Sequence, residues 1–109
     1  MKAGTLEVLN RLSETLAARR NADPSTSYTA SLFAKGPDAI LKKIGEESAE
    51  LIMAAKDGKR LPIVNEATDV VYHIMVLMAF FDMSVDNILQ ELHRRERISG
   101  IDEKRSRKA

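Results

Sequence analysis

The sequence contains no cysteine. This absence excludes disulfide bonds, thiolate zinc sites and cysteine nucleophiles, and it fits a reducing compartment. The longest uninterrupted apolar run, residues 74–81, is far shorter than the roughly 20 residues that a membrane-spanning helix needs. The N-terminal residues alternate between apolar and polar at helical spacing, unlike a signal peptide. We therefore expect a cytoplasmic protein with no membrane partner.

Two common routes to phosphate chemistry are also missing. Gly36 and Gly45 stand alone, so there is no glycine-rich loop to hold a phosphate. The only histidines are His73 and His93, and without cysteine no nucleophilic triad can be built from them. For His73 we predict an interior histidine with satisfied hydrogen bonds rather than a metal ligand. Attack by a metal-activated water is the hydrolytic chemistry that remains.

The composition is that of a soluble globular domain, with 44% hydrophobic and 30% charged residues in 109. Charge is concentrated at the C-terminus, where residues 94–109 hold seven Lys or Arg and three Asp or Glu. No aromatic residues interleave with these charges, as nucleic-acid platforms require. We therefore predict one domain over residues 1–98, a disordered basic tail over 99–109, and no nucleic-acid partner.

The periodic segments are helical and no strand pattern occurs. Helices are predicted over residues 5–20, 29–35, 37–56 and 62–82, and Ser84 is placed to cap a last one. Gly58 marks the end of the third helix. The fold class predicted is all-α, a small antiparallel helical bundle of four main helices plus a short one.

One helix of this bundle carries more apolar surface than a single chain of this length can cover. The helix over 62–82 is apolar nearly all round after Asp69, so we predict a homodimer whose shared core includes it.

The helix over 37–56 contains Gly45, which costs about 1 kcal/mol relative to Ala, so we expect something to approach the backbone there. Its predicted buried arc consists of Ile40, Leu41, Ile44, Leu51, Ile52 and Ala55.

Two acidic pairs lie symmetrically about Gly58. Glu50 and Glu66 are equally distant from it along the chain, and so are Glu47 and Asp69. If the flanking helices are antiparallel, each such pair is level, and the i,i+3 spacing puts both acids of a helix on one face. Four converging carboxylates repel unless a cation holds them, and oxygen ligands suit Mg²⁺ or Mn²⁺ rather than zinc.

Any single one of these acids could instead be an ordinary exposed residue on a helix surface. The competing metal site is a di-iron site. Di-iron bundles use Glu-x-x-His pairs, whereas here Glu66 is followed at the third position by Asp69. Lys42 and Lys43 precede the acids by about one turn and are candidate phosphate ligands. For Lys43 an i,i+4 salt bridge to Glu47 is the alternative, and the two roles can coexist.

The acidic segments resemble the E-E-x-x-E and E-x-x-D signature of the all-α, MazG-like nucleotide pyrophosphohydrolases. More closely, the stretches Ser27–Ala30, Lys42–Glu47 and Asn65–His73 resemble the phosphoribosyl-ATP pyrophosphohydrolases of histidine biosynthesis. The similarity extends from about Leu6 to Arg95, and the basic C-terminus is the part that the family pattern does not explain.

The resemblance implies hydrolysis of phosphoribosyl-ATP to phosphoribosyl-AMP and pyrophosphate by Mg²⁺-activated water, in a dimeric helical bundle. Because the chain is short and lacks cysteine, we expect the stand-alone form of this enzyme. It implies that Glu46 orients or deprotonates the water. By the same resemblance the metal ligands are Glu47, Glu50, Glu66 and Asp69.

Two other functions remain open at this point. A housekeeping pyrophosphohydrolase for dUTP or noncanonical nucleoside triphosphates would use the same metal site. A helical dimerisation or nucleic-acid adaptor would instead show no Mg²⁺-dependent hydrolysis and would bind nucleic acid in a salt-sensitive way.

Overall fold

The computed structural model describes residues 3–96, 98 and 100–108, which contain six α-helices and no strand. The prediction of an all-α fold is confirmed. The helices are α1 (Ala3–Arg19), α2 (Tyr28–Lys35), α3 (Pro37–Asp57), α4 (Arg60–Phe80), α5 (Val85–Arg95) and α6 (Gly100–Lys108).

The hydrophobic core takes residues from the first five helices. The most completely buried side chains are Leu16 on α1, Ile40 on α3 and Val76 on α4. The most extensive helix pair is α3 with α4, while α1 packs on α4 and α5, and α2 packs on α3. The core therefore lies between the hairpin of α3 and α4 and the helices that pack on it.

Glycines and serines end and begin the helices where the sequence predicts. Gly58 has φ of 71°, and its N–H donates to the carbonyls of Ala54 and Ala55 at the end of α3. Ser84 caps α5 in a capping box with Asn87. However, α4 begins at Arg60, before Pro62. A proline in the first turn costs no intrahelical bond, since those N–H groups have no partner within the helix.

The buried stripe of α3 differs from the predicted arc. Ile40, Glu47 and Ala54 are buried, whereas Leu41 and Ile52 are 49% and 62% exposed. The stripe is rotated because α3 turns the side carrying Glu47 toward α4. The expectation that something approaches Gly45 is not met within the described chain, where a Cβ at this position would have no atom within 4 Å.

Helix α4 is apolar but poorly covered by its own chain. Among the described residues it is the one helix whose length and composition would suffice to cross a membrane, yet only 22% of its most apolar stretch is buried. The core helix of a soluble protein passes the same test, and α4 also carries Glu66 and Asp69. Leu61, Val64 and Val71 are 70%, 51% and 49% exposed.

The C-terminal segment differs from the disordered tail predicted for residues 99–109. Residues Gly100–Lys108 form α6, and all of its described side chains are exposed. Lys, Arg and Glu are good helix formers, so a segment rich in charge can be helical although all of its described side chains are exposed. Ser99 and Ala109 lie outside the described residues.

Candidate metal centre

The hairpin of α3 and α4 brings three of the predicted acids together. One carboxylate oxygen from each of Glu47, Glu66 and Asp69 lies within 4.8 Å of the others. Glu47 is buried, Glu66 is half-buried and Asp69 is exposed, so the group spans the boundary between core and solvent. The predicted match in height between Glu47 and Asp69 is therefore found.

Two oxygens of this group have no hydrogen-bond partner. Both Glu47 Oε2 and Glu66 Oε2 are buried and unpaired. An unpaired buried carboxylate oxygen is costly, and a second one beside it adds repulsion. A bound cation would remove both penalties, and an all-oxygen donor set fits a hard divalent ion. The residues present therefore fit the metal that the sequence predicts.

Glu46 and Glu50 lie apart from this group. Both side chains are exposed, and neither belongs to the set of carboxylates within 4.8 Å of one another. Glu50 is one turn beyond Glu47, so the backbone places it beside the centre while its side chain extends into solvent. The role of Glu50 as a metal ligand and that of Glu46 as the water-binding residue stay predictions.

One lysine contacts the acids and the other does not. Lys43 Nζ lies 3.5 Å from Glu47 Oε1, so the predicted salt bridge is present. The nearby Tyr28 oxygen, more than Glu46 and Glu47, raises the pKa of Lys43 and keeps it cationic. A single ammonium cannot neutralise three carboxylates. Lys42 is exposed and has no ion pair among the described residues.

His73 joins α2 to the acid-bearing part of α4. Its ring is buried, and its Nδ1 lies 2.8 Å from the backbone carbonyl of Asp69, while its Nε2 lies 2.8 Å from the Tyr28 hydroxyl. Burial raises the pKa of Tyr28, so its hydroxyl keeps its proton. The prediction of a satisfied interior histidine is confirmed.

The Ser27-Tyr28-Thr29 stretch has a structural role that spacing alone did not reveal. The Ser27 hydroxyl accepts from the N–H of Ala30 and caps α2, and the Thr29 hydroxyl lies 2.6 Å from that of Tyr72. With the bond from Tyr28 to His73, α2 is thus held to α4 one turn after Asp69. A serine before a short helix signals the cap, but the pairings with α4 cross more than forty residues and have no local signal.

A sequence profile of the phosphoribosyl-ATP pyrophosphohydrolase family matches residues 9–96. The chain belongs to this family. All of the acids and lysines discussed above lie inside the matched range.

Curated relatives match over nearly their whole length. A phosphoribosyl-ATP pyrophosphatase from Dechloromonas aromatica is 69% identical over 94% of this chain and 95% of its own. One from Azoarcus sp. is 59% identical over 94% and 96%, and one from Paracoccus denitrificans is 50% identical over 92% and 93%. A phosphoribosyl-ATP pyrophosphohydrolase domain therefore accounts for most of the chain.

Proposed function

We propose that the protein hydrolyses phosphoribosyl-ATP to phosphoribosyl-AMP and pyrophosphate, an early step of histidine biosynthesis. The family match and the names of the relatives support this reaction over the hydrolysis of dUTP or noncanonical nucleotides. The single structural observation that carries the proposal is the group of Glu47, Glu66 and Asp69 with its two unpaired buried oxygens.

The metal in this proposal is Mg²⁺, with Mn²⁺ as a substitute, and Glu47, Glu66 and Asp69 hold it directly. Rotation of the Glu50 side chain about its own bonds would add a fourth carboxylate from the same face of α3. The ion supplies neutralisation of the phosphate charge that develops on cleavage between the α- and β-phosphates, and it makes a bound water more acidic.

Side chains of the protein are proposed to bind the phosphate groups and to activate the water. Lys43, already beside Glu47, is placed to bind a phosphate oxygen, and exposed Lys42 is placed to bind one from the solvent side. Glu46 is adjacent to Glu47 and exposed, so its carboxylate is free to orient a water and to accept its proton. Each of these is a role proposed for one named side chain.

The protein is proposed to act as a homodimer in the cytoplasm, without nucleic-acid or membrane partners. The argument for the dimer is the exposed apolar row of α4, which consists of Leu61, Val64 and Val71. These residues follow one another at helical spacing and so share one face. A second copy of the chain, packing hairpin on hairpin, would cover this α4 apolar row in both protomers at once.

The test is pyrophosphate release from phosphoribosyl-ATP, with dUTP and dCTP as competing substrates. Asp69→Asn and Glu50→Gln should each lower kcat by at least about 100-fold, because even residues that only support metal ligands cost 10–100-fold. Asp57→Asn, an exposed acid at the end of α3, is the control and should retain activity. Circular dichroism checks that each variant stays helical. Wild-type kcat at saturating Mg²⁺ in either ligand variant would refute its assignment.

A further inference from the structure

A cavity of about 250 Å³ lies between α1 and the start of α2. Its wall is made mostly of hydroxyl-bearing side chains, with two leucines at its base and one arginine. The lining residues are Leu12, Thr15, Leu16, Arg19, Thr26, Ser27, Tyr28, Thr29 and Tyr72. The proposed reaction assigns no role to this cavity.

The charge of the cavity is positive. None of its lining residues is acidic, and the Arg19 guanidinium has no hydrogen bond or ion pair among the described residues. By contrast, the next residue, Arg20, binds Asp82 at 3.2 Å. A second cavity, of about 370 Å³, is lined by Glu14 and Asp86 and has no basic residue. The first cavity therefore suits an anionic ligand, and the second does not.

The hydroxyl groups of the cavity can serve a polyhydroxylated ligand. Ser27 accepts from the N–H of Ala30, so its own proton remains available to donate. The Thr15 and Thr26 hydroxyls donate to the carbonyls of Arg11 and Asp23, which leaves their oxygens free to accept. Ribose hydroxyls both donate and accept, so such a mixed wall matches them.

The cavity adjoins the candidate metal centre through Tyr28. The Tyr28 side chain lines the cavity, and its hydroxyl bonds to His73, which in turn bonds to the carbonyl of Asp69. Tyr28 therefore belongs both to the cavity wall and to the hydrogen-bonded series that ends at Asp69. Phosphoribosyl-ATP differs from ATP by a ribose 5-phosphate on its adenine ring, at the end of the molecule away from the triphosphate.

We infer that this cavity binds the ribose 5-phosphate group of the substrate, with Arg19 holding its phosphate. The inference rests on the proposed function. It assigns to Arg19 the recognition of the one group that separates the substrate from ATP. A guanidinium binds a phosphate monoester through two parallel hydrogen bonds, and the hydroxyls of Ser27 and the threonines bind the sugar.

The test compares binding of phosphoribosyl-AMP and of AMP by calorimetry. The wild type should bind phosphoribosyl-AMP more tightly. Arg19→Gln should weaken that binding by about tenfold or more, the usual effect of losing a charge-assisted hydrogen bond, and should leave AMP binding unchanged. Arg20→Gln is the matched control and should change neither affinity. Arg19→Lys, which keeps the charge but not the paired geometry, should fall between.

Kinetics and folding complete the test. In Arg19→Gln the KM for phosphoribosyl-ATP should rise while kcat changes less, and the melting temperature should match that of the wild type. Unchanged phosphoribosyl-AMP affinity in a folded Arg19→Gln variant, or an equal loss for AMP, would overturn the subsite alone. A wild type that does not hydrolyse phosphoribosyl-ATP would overturn the proposed function and the subsite with it.

Discussion

The two nitrogens of His73 have opposite hydrogen-bonding roles. Nδ1 faces a backbone carbonyl, which can only accept, so Nδ1 carries the proton. Nε2 of the neutral ring is then an acceptor for the Tyr28 hydroxyl. The phenol proton therefore points to His73.

This arrangement predicts the tautomer of His73. Nitrogen-15 NMR of the protein at neutral pH should show a protonated Nδ1 and an unprotonated Nε2 for His73. His93 is exposed and provides an internal reference in the same spectrum. Tyr28→Phe should shift the Nε2 resonance of His73 and leave that of His93 in place. A protonated Nε2 on His73 would contradict the hydrogen-bond assignment and the orientation of the Tyr28 hydroxyl.

Sequence spacing predicted the acids of the site better than their side-chain directions. Symmetry about Gly58 identified Glu47, Glu66 and Asp69, because helix geometry fixes where a Cβ points. It could not fix the rotamer of Glu50, whose exposed side chain lies outside the group of three acids. Spacing also could not predict the hydrogen bond between Tyr28 and His73, because a pairing between residues so distant along the chain depends on tertiary packing.

At the scale of the helices, Gly45 lies inside α3 and Gly58 lies at its end. Replacing each of them with alanine should change the free energy of unfolding in opposite directions. Gly58 has φ of 71°, and Gly45 lies inside the helix, while neither would bring a Cβ within 4 Å of another atom. Only backbone conformation therefore decides the result. Gly58→Ala should lower the free energy of unfolding by about 1–2 kcal/mol, and Gly45→Ala should raise it by about 0.5–1 kcal/mol.

Urea unfolding of the two variants and the wild type, followed by circular dichroism, measures both changes. Each variant serves as the other's control, since both exchange glycine for alanine within one hairpin. A stabilised Gly58→Ala variant would contradict the left-handed turn. A destabilised Gly45→Ala variant would show that something outside the described chain packs on α3, as the sequence led us to expect.

The C-terminal end of α5 holds an ionised acid between two arginines. Glu91 accepts from Arg94 at 2.8 and 2.9 Å and from Arg95 at 3.0 Å, and these bonds lower its pKa from 4.5 to about 2. Because the folded pKa is the lower one, the contribution to stability is full above pH 4.5 and is lost as the pH falls toward 2. NMR titration of the Glu91 carboxyl should give a midpoint well below 4.5.

Arg94→Gln should move that midpoint upward, because it removes two of the three bonds to Glu91. A Glu91 midpoint near 4.5 in the wild type would mean that the arginines do not hold the carboxylate in solution.

The sequence predicted which segments form most of the helices. It predicted less well which face of a helix is buried. Gly58 gave the end of α3 and Ser84 gave the start of α5, because such signals depend on local backbone chemistry. The start of α4 and the helicity of Gly100–Lys108 were missed, since each was decided by propensity rather than by an apolar pattern. The buried face of α3 was missed in part because burial depends on which neighbour covers the helix.

At the scale of the whole molecule, six of the twelve exposed large apolar side chains in the described residues lie on the hairpin that bears the acids. Leu41 and Ile52 of α3 are exposed, as is the α4 apolar row. Covering a valine, leucine or isoleucine side chain contributes about 1.5–3 kcal/mol relative to leaving it in water. Several such residues in each protomer would give a stable contact, and two-fold symmetry doubles each one.

The dimer can be tested by changing this surface alone. The double variant Val64→Lys with Val71→Lys places two charges in each copy of the α4 apolar row, and burying an unpaired charge is prohibitive. By light scattering the wild type should have about twice the chain mass of 12.1 kDa, and the variant should have the chain mass itself. Val8→Lys is the matched control, because Val8 on α1 is as exposed as Val64, and it should remain dimeric. A wild type of 12.1 kDa, or a helical double variant that stays dimeric, would show that this row is not where two protomers meet.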